Sequence, residues 1–252
     1  MKLRRLLAAV LLSSSLAVTV DLAHANEIVV FSTIAARSLI QRLGSTFEAM
    51  SPHKLKLKFD TAAALKREIE TGAGFDVALL TEKVASDLEY KGKLVIGSRR
   101  PFAHVLLGLA AKTGGPKKEI DSASKFIEAI SAAEKVAYAE DGASGAAFVR
   151  RLQEINLHDA LKARLVPMIG PRVMEAVAAG EVTYGVQLVS EIISAPGVEL
   201  VGPFPDQYQT VTELVLGRSP DTESASAAAD FIMFMQSKQA NEAILAAGMN
   251  PN

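Results

Sequence analysis

The groups in this 252-residue sequence best placed to do chemistry are a few hydroxyls, one arginine and the open ends of helices. Four junctions share a design: Ser32-Thr33-Ile34-Ala35, Asp60-Thr61-Ala62-Ala63, Ala143-Ser144-Gly145 and Gly170-Pro171-Arg172. Each follows an apolar run that reads as a strand, and each opens a segment whose apolar residues recur at helical spacing. The first turn of a helix leaves backbone N–H groups without partners and carries about half a positive charge. Several such starts facing one place would hold a small oxyanion or carboxylate without a formal cation. Arg172 would add a bidentate grip on such a group. Taken singly, each junction is better explained as an ordinary helix cap. Four in one chain favour an anion site.

Other chemistries fit the residues less well. Asp141-Gly142-Ala143-Ser144-Gly145 approaches a serine-hydrolase elbow, but that motif needs glycine two residues after the serine, where Ala146 stands. A base would have to come from His104 or His158, and neither sits in a companion pattern. The four histidines are scattered and there is no cysteine, so neither a metal site nor a cofactor is expected. Asp76 and Asp141 read as turn or cap residues.

The elements that must position the junctions alternate along the chain. Residues 28–31 form a short apolar strand, followed by a helix with Leu39, Leu43, Phe47 and Met50 on one face. Strand 54–59 alternates (Leu55, Leu57, Phe59), and Asp60-Thr61 caps a helix carrying Leu65 and Ile69 that stops near Gly72. A buried strand over 75–80 and a helix over 82–90 complete the first run. After Pro101 comes a long apolar strand, 102–111, and a second run: a helix capped around Asp121 or Ser122, strand 136–139, a helix with Phe148, Leu152 and Ile155, strand 165–169, a helix opened by Pro171 and closed by Gly180, and strands 182–188 and 198–202. A β-rich segment, 208–217, and two helices, 222–236 and 239–247, finish the chain. This is the pattern of an α/β fold with mainly parallel sheets flanked by helices. It predicts two lobes, 27–102 plus 210–252 and 106–206, hinged by two long crossover strands. Ligands of open α/β sheets bind beyond the carboxyl ends of the strands, so the four junctions, two in each lobe, would face one cleft.

The first 25 residues read as an export signal: Lys2, Arg4 and Arg5, then the apolar stretch 6–20, then Ala23-His24-Ala25. The apolar stretch is short for a membrane span of about 20 residues, so cleavage after Ala25 and a periplasmic location are expected. Without cysteine the chain has no disulfide and no lipid-attachment site. The net charge is −1 for the whole sequence, and the export segment removes more basic than acidic residues. Nothing resembles the basic face of a nucleic-acid binder. The absence of tryptophan argues against a stacking platform for sugars or bases.

The chain resembles the periplasmic molybdate-binding proteins of ABC importers. The likeness is carried by the strand 28–31 with its small-residue helix start, Phe59 followed by Ala62-Ala63-Ala64-Leu65, Ile69 with Gly72, Phe75-Asp76-Val77, Ser144-Gly145, Gly180 and Tyr184-Gly185-Val186. It implies a type II, Venus-flytrap fold. It also implies capture of a tetrahedral oxyanion such as molybdate or tungstate without catalysis, a membrane permease as partner, and a monomer. The family's ligand serines fall here at or beside Ala35 and within 62–64, and its later tyrosine falls near Gln187 or Leu188. Each lost hydrogen bond to a charged ligand is worth roughly 1.5–3 kcal/mol. Ser32, Thr33, Thr61, Ser144 and Gln187 would have to replace those donors, or the ligand is an organic carboxylate or another small anion.

Overall fold

The computed structural model describes residues 25–115 and 118–252, so all of the expected export segment but Ala25 lies outside the described residues. The chain opens with β1 (Glu27–Thr33), a 3-10 turn (Ile34–Ala36) and α1 (Arg37–Met50). β2 (Lys54–Asp60), α2 (Ala62–Glu70), β3 (Val77–Thr81) and α3 (Glu82–Tyr90) follow. A long strand, β4 (Arg100–Lys112), leads to α4 (Ala123–Ala132), β5 (Val136–Ala139), α5 (Ala143–Glu154) and the short α6 (His158–Leu161). Then come β6 (Leu165–Met168), α7 (Gly170–Ala179), β7 (Tyr184–Leu188), α8 (Val189–Ser194) and β8 (Val198–Pro203). β9 (Val211–Arg218), α9 (Ala225–Met235), α10 (Lys238–Ala246) and the two-residue β10 (Asn250–Pro251) close it.

Strand pairing gives β2-β1-β3-β9-β4-β7-β5-β6, with β8 and β10 added on β4. β4 changes partners along its length. Residues up to Leu106 pair with β9, and Leu107–Ala110 pair with β7 while Gly108–Lys112 pair with β8. One continuous strand therefore serves two sheets, and the return path β8–β9 runs antiparallel beside it. The expected pair of crossing strands is present, and so is the expected two-lobed α/β architecture. Within each sheet the strands next to the junctions are parallel: β1 with β2 and β3, and β5 with β6 and β7.

Apolar clusters cover both faces of both sheets. The largest runs from Ile28, Leu39 and Phe231 in the first lobe through β4 to Phe126 and Phe148 in the second. Separate clusters under α2 and α3 and under α7 close the opposite faces. Phe47 packs against Phe231 and Phe234 at 5.1 and 5.5 Å, which fastens the C-terminal helices back onto α1. Among the described residues no helix is long and apolar enough to cross a membrane.

Three local expectations are corrected. Ser32 and Thr33 do not cap a helix. They stay in β1 because the parallel ladder to β2 runs on to Thr33, opposite Asp60, and Thr33 makes no capping bond. Met50, expected on the buried face of α1, is 69 % exposed because it is the last residue of that helix. The reading of strands at 182–188 and 198–202 placed no helix between them; α8 stands there, with Leu188 as its N-cap and so no hydroxyl signature at its start.

Candidate functional site

Register brings the junctions to common edges. Thr33 sits opposite Asp60, and Ser32 opposite Leu79, so β1, β2 and β3 end together. In the second sheet Ala139 is opposite Met168, and Tyr138 opposite Val186, so Asp141 and Gly170, just past their strands, and Gln187, next to last in β7, lie at one edge. The two edges meet. The Ser190 hydroxyl at the start of α8 donates to the Ala35 carbonyl at 2.8 Å, and Ser38 and Ser194 share a hydrogen bond of 2.8 Å. Further along, Thr81, Glu82 and Lys83 at the start of α3 face Ala143 at the start of α5 across Val211 and Glu213 of β9, around a cavity of ≈ 820 Å³. The cleft is therefore bracketed by helix starts from both sheets.

On the first-lobe wall Ser32 is fully buried and donates to the Thr33 carbonyl at 3.2 Å. The Thr33 hydroxyl is buried with no hydrogen-bond partner among the described residues. Such an orphan costs roughly 1–3 kcal/mol unless something fills it. Ala35 is buried beside it in the 3-10 turn. Thr61 caps α2 as expected, its hydroxyl accepting from the Ala64 N–H at 3.2 Å, while Asp60 accepts from the Thr61 N–H at 2.7 Å. The N–H groups of Ala62 and Ala63 precede any carbonyl of the helix that could accept them. Arg37, the first residue of α1, lays its guanidinium over the Phe59 ring at 5.2 Å from the centroid, next to the α2 start. It makes no ion pair among the described residues.

The second-lobe wall is bonded to itself. Buried Ser144 donates to the Gln187 amide oxygen at 2.8 Å, and the Gln187 amide nitrogen donates to the Gly170 carbonyl at 2.9 Å. Asp141 accepts from the Gly170 N–H at 2.9 Å, the bond of a cap residue. Pro171 has no N–H, and the Arg172 N–H bonds the Ile169 carbonyl at 2.9 Å, so the start of α7 offers few open donors. That leaves Ala143, Ser144 and Gly145 at the α5 start, where Gly145 lies so close to β5 that a Cβ would come within 1.9 Å of the Ala139 carbonyl oxygen. The Arg172 side chain runs the other way along α7, to Glu175 at 2.9 Å and to Glu181, beyond the helix end, at 3.4 Å. Ser144 bonds an amide, which cannot take its proton as a base would, so the elbow-like motif is a structural one here.

Three groups were not singled out from sequence. Ser190 and Glu191 belong to the α8 that pattern reading missed, and Arg37 looks like any solvated helix residue until Phe59 is seen beneath it. Glu191 accepts from the Leu188 N–H at 3.4 Å. Its carboxyl pKa is pushed up to about 7, chiefly by desolvation and also by the nearby Asp141 charge, against the lowering effect of the Leu188 N–H.

Comparisons with known proteins agree with this architecture. The family model described as bacterial extracellular solute-binding protein matches residues 28–250. The Azotobacter vinelandii periplasmic molybdate-binding protein superposes with a TM-score of 0.76 at 20% identity, covering 88% of this chain and 98% of the other. A periplasmic binding protein from Agrobacterium tumefaciens in complex with agropinic acid gives 0.68 at 12% identity, covering 90% and 83%. A curated relative, aconitate isomerase of a Pseudomonas species, is 29% identical over 195 residues, 76% of this chain and 73% of the relative.

A two-lobed sheet pair with a cleft between its carboxyl edges defines a binding protein of the type II solute-binding class. The chain belongs to the bacterial extracellular solute-binding protein family.

Proposed function

We propose that the protein is the periplasmic substrate-binding component of an ABC importer, exported by cleavage after Ala25. In this reading it captures a small anion between lobe 1 (27–102 with 210–252) and lobe 2 (106–206). The observation that carries the reading is the meeting of helix starts from both sheets, where Ser190 bonds the Ala35 carbonyl close to the orphaned Thr33 hydroxyl at the end of β1. The closed form would dock on the permease as a monomer. Ser32, Thr33, Ala35, Thr61 and Ala62 supply the lobe-1 side of the site and Ser144 and Gln187 the lobe-2 side, the last two as a fixed wall. Arg37 takes the cationic role first expected of Arg172.

Two ligand classes compete. Molybdate or tungstate follows from family likeness, yet the Ser144 hydroxyl already donates its proton to Gln187. An organic polycarboxylate is favoured by the Arg37 guanidinium, whose planar fork matches a carboxylate, and by the relative named for aconitate. We favour the polycarboxylate. Calorimetry with molybdate, tungstate, sulfate, phosphate and a panel of di- and tricarboxylates, including cis- and trans-aconitate, tests it. Binding of a carboxylate that weakens about tenfold or more in Arg37→Ala is the expected result. Tight molybdate binding with no carboxylate bound would overturn the choice of class, and no bound anion at all would overturn the site.

A further inference from the structure

The first-lobe groups expected to receive the ligand are covered. Ser32, Thr33 and Ala35 are 0, 4 and 7 % exposed, and α8, which follows β7 of the second sheet, packs against the 3-10 turn that holds Ala35. The seam is stitched from both sides. The Ser190 hydroxyl donates to the Ala35 carbonyl at 2.8 Å. Ser194 gives its own proton to the Ser190 carbonyl at 2.7 Å, so in its 2.8 Å bond with Ser38 of α1 the donor is Ser38. Gly248, just past α10, adopts φ +70° and lies so close to α8 that a Cβ there would come within 2.7 Å of Ile193 Cδ1 and 3.2 Å of Val189 Cγ1. α8 thus meets the first lobe at the 3-10 turn, at the first turn of α1 and at the turn before β10.

The crossing strands are joined in a different way. Where β4 leaves β9 for β7 and β8, the Gln209 amide takes the place of a strand neighbour. Its Oε1 accepts from the Leu107 N–H at 2.8 Å, and its Nε2 donates to the carbonyls of Leu107 and Phe204 at 3.2 and 3.1 Å. Both paths between the sheets are pinned together there, at a few strand-end residues of the kind that absorb a hinge motion. The α8 seam is held by serine hydroxyls instead, and Ser38 and Ser194 are exposed. A hydroxyl exchanges such a bond for one to water at small net cost. Resting on the capture reading above, we propose that α8 is a latch: the lobes turn about the Leu107–Gln209 pin, and the Ser190–Ala35 and Ser38–Ser194 bonds break to admit or release a ligand and re-form over it. With the seam made, Thr33 and Ala35 are closed to solvent, so an anion reaches them only after the lobes part. Contacts that the lobes make with each other favour the closed form whatever the ligand, so the latch sets part of the affinity without touching the anion.

The chain has no cysteine, so a disulfide can be placed in the seam without a competing thiol. The double variant Ser38→Cys with Ser194→Cys puts two sulfurs where oxygens stand 2.8 Å apart, within reach of a disulfide of about 2.05 Å. Diamide closes the bond and dithiothreitol reopens it in the same folded protein, which serves as its own control. One readout is amide hydrogen exchange over residues 34–38 and 189–194 with no ligand added. The other is calorimetry with citrate and with molybdate, the protein being oxidised before the probe is added. Oxidation should slow exchange in both segments by about tenfold or more. It should weaken whichever probe the reduced protein binds by about tenfold or more, and reduction should restore both. Ser190→Ala should act in the opposite sense and raise exchange over 34–38 about fivefold. Equal exchange in the oxidised and reduced forms, or a cysteine pair that does not oxidise, would overturn the latch, and so would probe binding that survives oxidation. If neither citrate nor molybdate binds the reduced protein, the ligand classes of the capture reading fail, and the exchange measurement alone decides the latch.

Discussion

The two edges of the cleft are built from the same parts and finished differently. On the first lobe, open N–H groups at Ala62 and Ala63, a buried hydroxyl at Thr33 and a stacked guanidinium at Arg37 remain available. On the second, the equivalent polar groups have been closed on one another: Ser144 on Gln187, Gln187 on Gly170, Gly170 on Asp141. A wall whose hydrogen bonds are all internal is rigid and gives a ligand little, while a wall with open donors gains its partners only when a ligand arrives. In the proposed reading the first lobe acts as the receptor, and the second as a shaped lid that contributes the α5 start. Having helix starts in both lobes does not make the lobes chemically equivalent.

The sharpest way to break this contrast is to disturb the rigid wall. Gly145→Ala drives a methyl into the Ala139 carbonyl, a backbone atom that cannot rotate away. Relief requires α5 to move off β5, taking Ser144 from Gln187. We expect a loss of about 3 kcal/mol or more, beyond ordinary overpacking, read as a fall in melting temperature. On the receptor side Ala62→Ser, at the first position of α2, should stay within about 0.5 kcal/mol, as surface changes usually do. Comparable losses in both variants would mean that the second wall is no more rigid than the first.

Much of this asymmetry was invisible in the sequence, and the reason is physical. Alternation of apolar runs with capped helices exposes topology, because burial on both faces of a parallel sheet dictates the residue types over many positions. Strand, helix and crossover order, the Thr61 cap and the Pro171–Gly180 frame of α7 were all legible that way. Whether a polar side chain is open or already bonded depends on a partner far along the chain. Ser144 and Gln187 lie 43 residues apart, and Ser190 and Ala35 lie 155 apart. No local pattern encodes such pairings. α8 escaped notice because Leu188 begins it without a side-chain hydroxyl, and its one cue was Glu191 at the third position, where an acid commonly reaches back to the cap N–H.

The acid in the lid gives the next test. An unfolded glutamate titrates near 4.3, and Glu191 in the fold titrates near 7. Between those values the folded state holds the proton that the unfolded state has released, so stability falls as pH rises through this window and levels off above about 7. The loss is on the order of 3–4 kcal/mol. Denaturation at pH 5, 6, 7 and 8 should show it in wild type, superimposed on the titration of every other group, and Glu191→Gln should remove that share of the slope. An identical pH dependence in the two proteins would mean that Glu191 titrates like a solvated residue and that the lid carries no special acid.

The smallest expected effect separates the two arginines that begin helices at the cleft. Arg172 occupies the third position of α7, where the helix dipole disfavours a cation, and its side chain escapes toward Glu175 and Glu181, half exposed to water. Exposed pairs of this kind are worth about 0–1 kcal/mol. Arg37 also begins a helix against the dipole, but it has no acid to relieve it and lies on Phe59 instead. A cation held in an unfavourable field without a carboxylate partner is stabilised when an anionic ligand supplies one. Arg172→Ala should therefore change stability by no more than about 0.5 kcal/mol and carboxylate affinity by less than about twofold, against the tenfold expected for Arg37→Ala. Calorimetry on the two variants decides between them. An affinity loss at Arg172 that matches or exceeds that at Arg37 would show that α7 swings its arginine into the cleft when the ligand binds. The lid would then be a second receptor wall.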